Sequence, residues 1–221
     1  NFGWALQPAD MIKLRGERFF EVYNGHPAVN NYGDKDHLST GQMWDVINAY
    51  RLGVHNLQLM FGLATDDAHN YHDLAVGKSN TGRGWVMVRA EALTPGSIIE
   101  AMERGDFYAT SGVAVDDIRL AKGRYSFRIQ PEKGVTYTTR FIGTRKNFKA
   151  SSDLAKRNSL KPDQVGIGVI LGQSQSLEPS YTFDGDELYI RAEIVSSKKK
   201  ANPYAAGEHE RAWLQPVRLD K

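Results

Sequence analysis

The stretch Thr65-Asp66-Asp67-Ala68-His69-Asn70-Tyr71-His72 follows directly on the apolar run Leu59-Met60-Phe61-Gly62-Leu63-Ala64. An apolar strand that empties into carboxylates and imidazoles is how α/β enzymes present metal ligands: the strand is rigid, and its C-terminal end opens onto the active-site face. Asp67 and His69 are two apart, so on an extended backbone both side chains point to one side. An anionic oxygen and a neutral imidazole together suit Zn²⁺, Mn²⁺ or Fe²⁺. The plainer alternative is a polar loop in which Asp66 or Asp67 caps a helix. Glu21 ends a second apolar strand and is expected beside the same pocket, the alternative being a carboxylate bonded to nearby amides or an arginine. His26, His37, His55 and His72 are single histidines on loops, read as solvated or hydrogen-bonded. Among these His72 is the best placed to join the site, three residues past His69. Arg83 and Arg89 flank the Gly84-Trp85 strand, and either guanidinium could clamp a phosphate with paired donors. Pairing with a local carboxylate is the alternative, and the stronger one for Arg89.

The elements that must position these residues alternate in the first half of the chain. Pro8 to Leu14 reads as a short helix ended by Gly16, and Phe19-Phe20-Glu21-Val22-Tyr23 as a strand stopped by Asn24-Gly25. Thr40 can cap a helix from Gln42 to Leu52, with Trp44 and Ile47 on its apolar side and Gly53 closing it. The strand 59–64 follows, then a long loop from Tyr71 to Gly84, of the kind that is usually functional. Trp85 to Val88 is a strand. Thr94 and Pro95 open a helix that closes at Gly105, and Phe107 to Ala109 is a short strand. After Gly112 the pattern turns to β. Segments 113–121, 124–130, 135–143, 165–171, 179–184 and 187–195 read as strands, and 151–160 as a short helix. Strands at this spacing suggest a β-sandwich-like module. Two units are therefore expected, 1–112 and 113–221. Lys198-Lys199-Lys200 reads as a solvated loop.

The 221 residues are 41% hydrophobic and 24% charged, an ordinary globular composition that can bury a sizeable core. A net charge of +2 gives no case for nucleic acid. The absence of cysteine excludes disulfides and thiolate metal sites and leaves the compartment open. No apolar run of about 18 residues exists, so no membrane span is expected. The chain opens on Asn1 without an initiator Met, which suggests a processed or trimmed product, extracytoplasmic localisation being one outcome of such processing.

A set of motifs occurs in order: Asn1-Phe2-Gly3-Trp4, Phe20-Glu21-Val22-Tyr23-Asn24-Gly25, Ala64-Thr65-Asp66-Asp67-Ala68-His69 and Gly84-Trp85-Val86-Met87-Val88-Arg89. Leu93-Thr94-Pro95, the Ala-Met-Glu-Arg-Gly-Asp-Phe-Tyr-Ala run at 101–109, and Thr110-Ser111-Gly112-Val113 complete it. Over its first half the chain thus resembles the C-terminal part of a PHP domain, the polymerase and histidinol phosphatase superfamily of metal-dependent phosphoesterases. The resemblance implies a distorted (β/α)₇ barrel with two or three divalent ions held at strand ends. It also implies that the family's last element, Asp-x-His, maps onto Asp67 and His69 as metal ligands. The family's His-x-His element and its His-Pro before Asn-Phe have no counterpart here. An incomplete barrel followed by the β module is therefore expected, with Zn, Mn or Fe weakly held or absent in this chain and little hydrolysis by it alone.

The activity so implied is hydrolysis of a phosphate ester by metal-activated water, in the intact protein. Expected partners are the phosphate ester substrate and, for the uncovered barrel faces, the N-terminal portion or a second chain. The rival reading is a non-catalytic fragment whose β module binds a partner or a glycan through Tyr181, Tyr189, Tyr204 and Trp213, although core packing is the commoner fate of such residues. A nucleotide site at Gly166-Ile167-Gly168-Val169-Ile170-Leu171-Gly172 has the wrong spacing and no following helix.

Overall fold

The computed structural model describes residues 1–151 and 162–219. Strand dominates, and the sheets are open. The elements are α1 (Pro8–Ile12), β1 (Phe19–Asn24), α2 (Thr40–Gly53), β2 (Phe61–Thr65), β3 (Trp85–Val88), α3 (Pro95–Arg104), β4 (Phe107–Thr110), β5 (Val115–Ala121), β6 (Arg124–Ile129), β7 (Tyr137–Arg145), β8 (Val169–Ser174), β9 (Ser180–Thr182), β10 (Glu187–Lys199) and β11 (His209–Val217). A single 3-10 turn, Pro162–Val165, precedes β8. Among the described residues beyond 120 it is the only helical segment, and the helix expected at 151–160 lies outside the described residues.

β1 and β2 form a two-stranded parallel sheet. A six-stranded antiparallel sheet runs β3-β4-β11-β10-β7-β8, and β5-β6-β9 make a third sheet. The alternating pattern of β10 and β11 explains the layering, because successive side chains face opposite ways. Ile190, Ala192, Ile194, Ala212 and Leu214 face one side of the large sheet and share a core with Tyr125, Phe127 and Ile129 of β6. This is the sandwich part. Trp213, on the other face, shares a core with Tyr23 of β1 and with Trp44 and Ile47 of α2. The boundary expected near Gly112 falls at the turn between β4 and β5. The large sheet spans it, since β3 and β4 pair with β11 and each other from before Gly112.

Local chemistry fixes α2 over the parallel pair. Its N-cap is Ser39, not Thr40. The Ser39 Oγ accepts the Gln42 N–H and the Ser39 N–H reaches the Gln42 side chain, a reciprocal box. Thr40 instead donates to the Val22 carbonyl at 2.6 Å, tying the helix start to β1. The Trp44 indole and the Asn48 amide both donate to the Met60 carbonyl. A Cβ at Gly62 would come within 2.8 Å of the Trp44 ring, so this packing requires glycine there. The free edge of β2 is satisfied by a side chain: Gln215 of β11 accepts from Gly62 N–H at 2.7 Å and donates to Gly62 carbonyl at 2.9 Å. α3 starts and stops as expected, with Thr94 as its cap and Gly105 left-handed at φ +80.

Lys198 and Lys199 extend β10 rather than forming a solvated loop, and Lys200 is buried. Tyr189 and Trp213 are likewise buried, at 0% and 4% exposure, and hydrogen bonding and stacking account for them. They cannot serve an exposed binding face.

Candidate functional site

Because β1 and β2 run parallel, their C-terminal ends lie together, with Asn24 paired to Thr65 and the Gly25 N–H on the Thr65 carbonyl at 2.8 Å. The chemistry-bearing side chains collect here. The Asn24 amide NH₂ donates to Glu21 Oε2 at 3.1 Å and to Asp67 Oδ2 at 3.4 Å. The structure therefore brings Glu21 and Asp67 to one buried asparagine. His69 stands beside His26 with ring centroids 5.6 Å apart, edge to face. Glu21, Asp67 and His69 are exposed, and His72 is exposed further along the same loop.

The route by which Asp67 reaches this place is not the extended one. Its φ is +50, a left-handed conformation that Asp tolerates better than most residues, so the backbone has already turned out of the strand. His69 Nδ1–H donates to the Asp67 carbonyl at 2.8 Å. That bond fixes the tautomer and leaves Nε2 as the basic nitrogen, the arrangement in which metal-ligating histidines are held. His26 is the reverse: its Nδ1 accepts from Ala28 N–H at 3.1 Å, so in the neutral ring the proton sits on Nε2. His37 pairs with Asp34 at 2.8 Å and stacks on Trp4, away from this cluster.

Two residues with apparent catalytic potential are instead structural. The Asp66 carboxylate accepts the N–H groups of Gly82, Arg83 and Gly84 at 2.6–2.8 Å. The Arg83 guanidinium is fully buried and donates to the carbonyls of Gly25, Ala75, Lys78, Asn202 and Pro203 and to the Asn80 and Asn202 side chains. Together they fasten the 66–84 loop to β1 and to the segment after β10. With its donors committed to seven protein acceptors, Arg83 has no fork to offer a phosphate. Arg89 pairs with Asp106 at 2.9 Å.

Behind the strand ends lies a buried polar cluster that the sequence did not reveal. The Lys200 ammonium lies 3.0 Å from Glu208 Oε1 and against the Tyr23 hydroxyl. Tyr23 and Tyr32 both donate to the same Glu208 oxygen, at 3.0 and 2.8 Å. Burial pushes Lys200 down to about 8, while burial and the Glu208 charge hold the two tyrosine hydroxyls above their usual range. Nothing in a lone Lys at the end of a three-lysine run signals this. The pairing depends on the β10–β11 hairpin, which sets Glu208 opposite Lys200 with the Lys200 N–H on the Glu208 carbonyl at 2.9 Å.

Two carboxylates and an imidazole with a free Nε2 are the right kinds of donor for Zn²⁺, Mn²⁺ or Fe²⁺. They fit in kind but are not gathered around one point. Among the described residues, the group of three or more such side chains whose donor atoms lie within 4.8 Å of one another is Asp184, Asp186 and Glu187. Those carboxylates are already engaged by Arg145, by the Tyr181 hydroxyl and by the Asp184 and Gly185 N–H groups. The cleft of about 560 Å³ between β3–β4 and the β5–β6 hairpin contains none of Glu21, Asp67 and His69. No helix among the described residues is long and apolar enough to cross a membrane. Comparison with family models, with characterised proteins and with solved structures gave no match for this chain.

Proposed function

We propose that this chain carries part of the metal site of a PHP-type phosphoesterase, with Asp67 and His69 as ligands and Glu21 beside them. The observation that carries the reading is the His69 Nδ1–H bond to the Asp67 carbonyl. It puts a proton on Nδ1 and leaves Nε2 outward, next to the Glu21 carboxylate within β1 and the Asp67 carboxylate just past β2. The ordered motifs from Phe20 to Val113 support the same reading, and the β1–α2–β2 unit is assigned to a fragment of the family's barrel.

Bound divalent ions supply a hydroxide near neutral pH and neutralise the phosphoryl oxygens during in-line displacement. This chain's residues have simpler tasks. Asp67 contributes an anionic oxygen, and His69 a neutral nitrogen oriented by its own loop. Glu21 contributes a second carboxylate held toward Asp67. Three donors that do not converge fall short of the set a tight site uses, so the remaining ligands are assigned to residues outside this chain, upstream or on a partner.

The test is a paired assay on an aryl phosphate with added Mn²⁺ or Zn²⁺, using this chain and a form extended upstream. The extended form should turn over and lose most of its rate in Asp67→Ala and in His69→Ala. An inert extended form under every metal, or unchanged rates in both variants, overturns the hydrolase reading in favour of a binding module.

A further inference from the structure

The two carboxylates of the candidate site are joined by a neutral side chain, and we propose that Asn24 is a positioning residue that keeps Glu21 and Asp67 converged without a cation. By doing so it pre-sets this donor pair for a divalent ion. Only that last step rests on the metal reading above.

The orientation of the amide follows from its surroundings. Its Oδ1 lies 2.8 Å from the His26 N–H, which requires the oxygen at that end, so the NH₂ group faces the carboxylates. One NH₂ then serves both Glu21 Oε2 and Asp67 Oδ2. The asparagine is anchored independently of them. Its backbone N–H is bound by the Asn31 side-chain oxygen at 2.9 Å, and its carbonyl accepts from the Asn31 amide at 2.8 Å. It is buried, 6% exposed, while the two carboxylates are exposed. Asn24 is therefore a rigid donor between two anionic groups that would otherwise repel and separate into solvent. The partial positive charge of the amide offsets the repulsion between the two carboxylates when no cation is bound. Groups that hold a metal's ligands in place typically change metal affinity 10–100-fold.

Asn24→Asp is the discriminating variant. It keeps the size and the Oδ1 acceptor for His26 but replaces the shared donor with a third anionic oxygen. In the chelator-treated chain the expected result is a fall in Tm of about 5 °C. Most of that loss should return in Asn24→Asp combined with Glu21→Gln or with Asp67→Asn, because a neutral amide can then donate to the new carboxylate. On Mn²⁺ titration the parent should gain more Tm than Asn24→Ala, because that variant no longer holds the two carboxylates together. Full-sized loss that is identical in the single and double variants means Asn24 serves only the turn, and overturns the proposal, as does an absence of loss. Coupling in the chelated chain with no Mn²⁺ response in either form supports the positioning role and overturns the metal step alone.

Discussion

Removal of the buried ammonium by Lys200→Met should change the pH dependence of stability in a defined window. The Lys200 side chain is 4% exposed, 3.0 Å from Glu208, and burial outweighs that partner enough to bring it down to about 8. In the unfolded chain a lysine titrates near its ordinary 10.5. The unfolded state thus binds more protons between these values, and stability rises with pH across them. Lys200 contributes a gain that is complete above about 10.5 and lost as pH falls through about 8. The drop from 10.5 to about 8 corresponds to about 3 kcal/mol. Tyr23 and Tyr32 act with the opposite sign. Their hydroxyls are held above the ordinary 10 in the folded state, so their contribution is present below pH 10 and lost above it. The interval from about pH 8 to 10 therefore isolates the lysine. Urea unfolding of the parent and of Lys200→Met in half-unit steps from pH 7 to 10 measures it. The parent should gain about 2–3 kcal/mol relative to the variant over that interval. A difference that stays flat within about 0.5 kcal/mol would refute the claim that the folded protein holds this ammonium at a cost.

The Asp45–Arg191 pair bridges α2 and β10 through two 2.7 Å bonds with both side chains nearly inaccessible, so Arg191→Met strands a buried carboxylate. The expected loss is about 3–5 kcal/mol, read as a Tm lower by about 6–20 °C, and a change of under 2 °C would count against it. Arg83→Lys cannot meet seven acceptors with one ammonium, and the 66–84 loop should become sensitive to limited proteolysis while β-sheet circular dichroism persists; unchanged cleavage would contradict its fastening role. Metal analysis of the purified chain should find sub-stoichiometric zinc and manganese. One tightly held ion per chain would mean that Glu21, His26 or His72 moves in to complete a site.

The elements around the site were largely legible, and the reason is local. β1, β3, α3 and β4 carry their own punctuation in Asn24-Gly25, Thr94-Pro95 and Gly105, and the structure keeps their positions within a residue or two. β11 was missed. Its sequence His209-Glu210-Arg211-Ala212-Trp213-Leu214-Gln215-Pro216-Val217 has charged residues at one end and a proline near the other, and lacks clean alternation. It is nonetheless the strand that joins β4 to β10. Both of its faces are covered, one by the sandwich core and one by Trp213 and Gln215 against the parallel pair. A strand buried on both faces does not alternate, so period alone could not find it. Without β11, residues 1–112 and 113–221 read as two units, whereas the large sheet crosses Gly112. The i, i+2 argument for Asp67 and His69 presumed an extended backbone, and a left-handed residue at 67 is invisible to that rule. From sequence Asn24 is a strand stop, and its second task appears only when β2 lies alongside.

What separates the residues that can do chemistry from those that resemble them is unfilled bonding capacity. Asp66 and Asp67 are adjacent and identical in type, yet Asp66 is saturated by three backbone N–H groups that close the loop. Such a carboxylate has little reason to exchange them for a ligand, because each orphaned N–H would cost about 1–3 kcal/mol. Arg83 is committed in the same way. Asp67 and Glu21 share one amide between them, and His69 has spent only Nδ1. The saturated residues make the site possible: the fastening of residues 66–84 by Asp66 and Arg83 fixes where Asp67 and His69 emerge. The Gln215 bridge to Gly62 and the Trp44 contact hold β2 against the large sheet beneath them. Asp67 and His69 thus emerge from a strand end clamped from three sides, which is the kind of preorganisation the proposed site would use. Asn24 gathers Glu21 and Asp67, but among the described residues no third donor closes on the same point, and that is what a further ligand would supply.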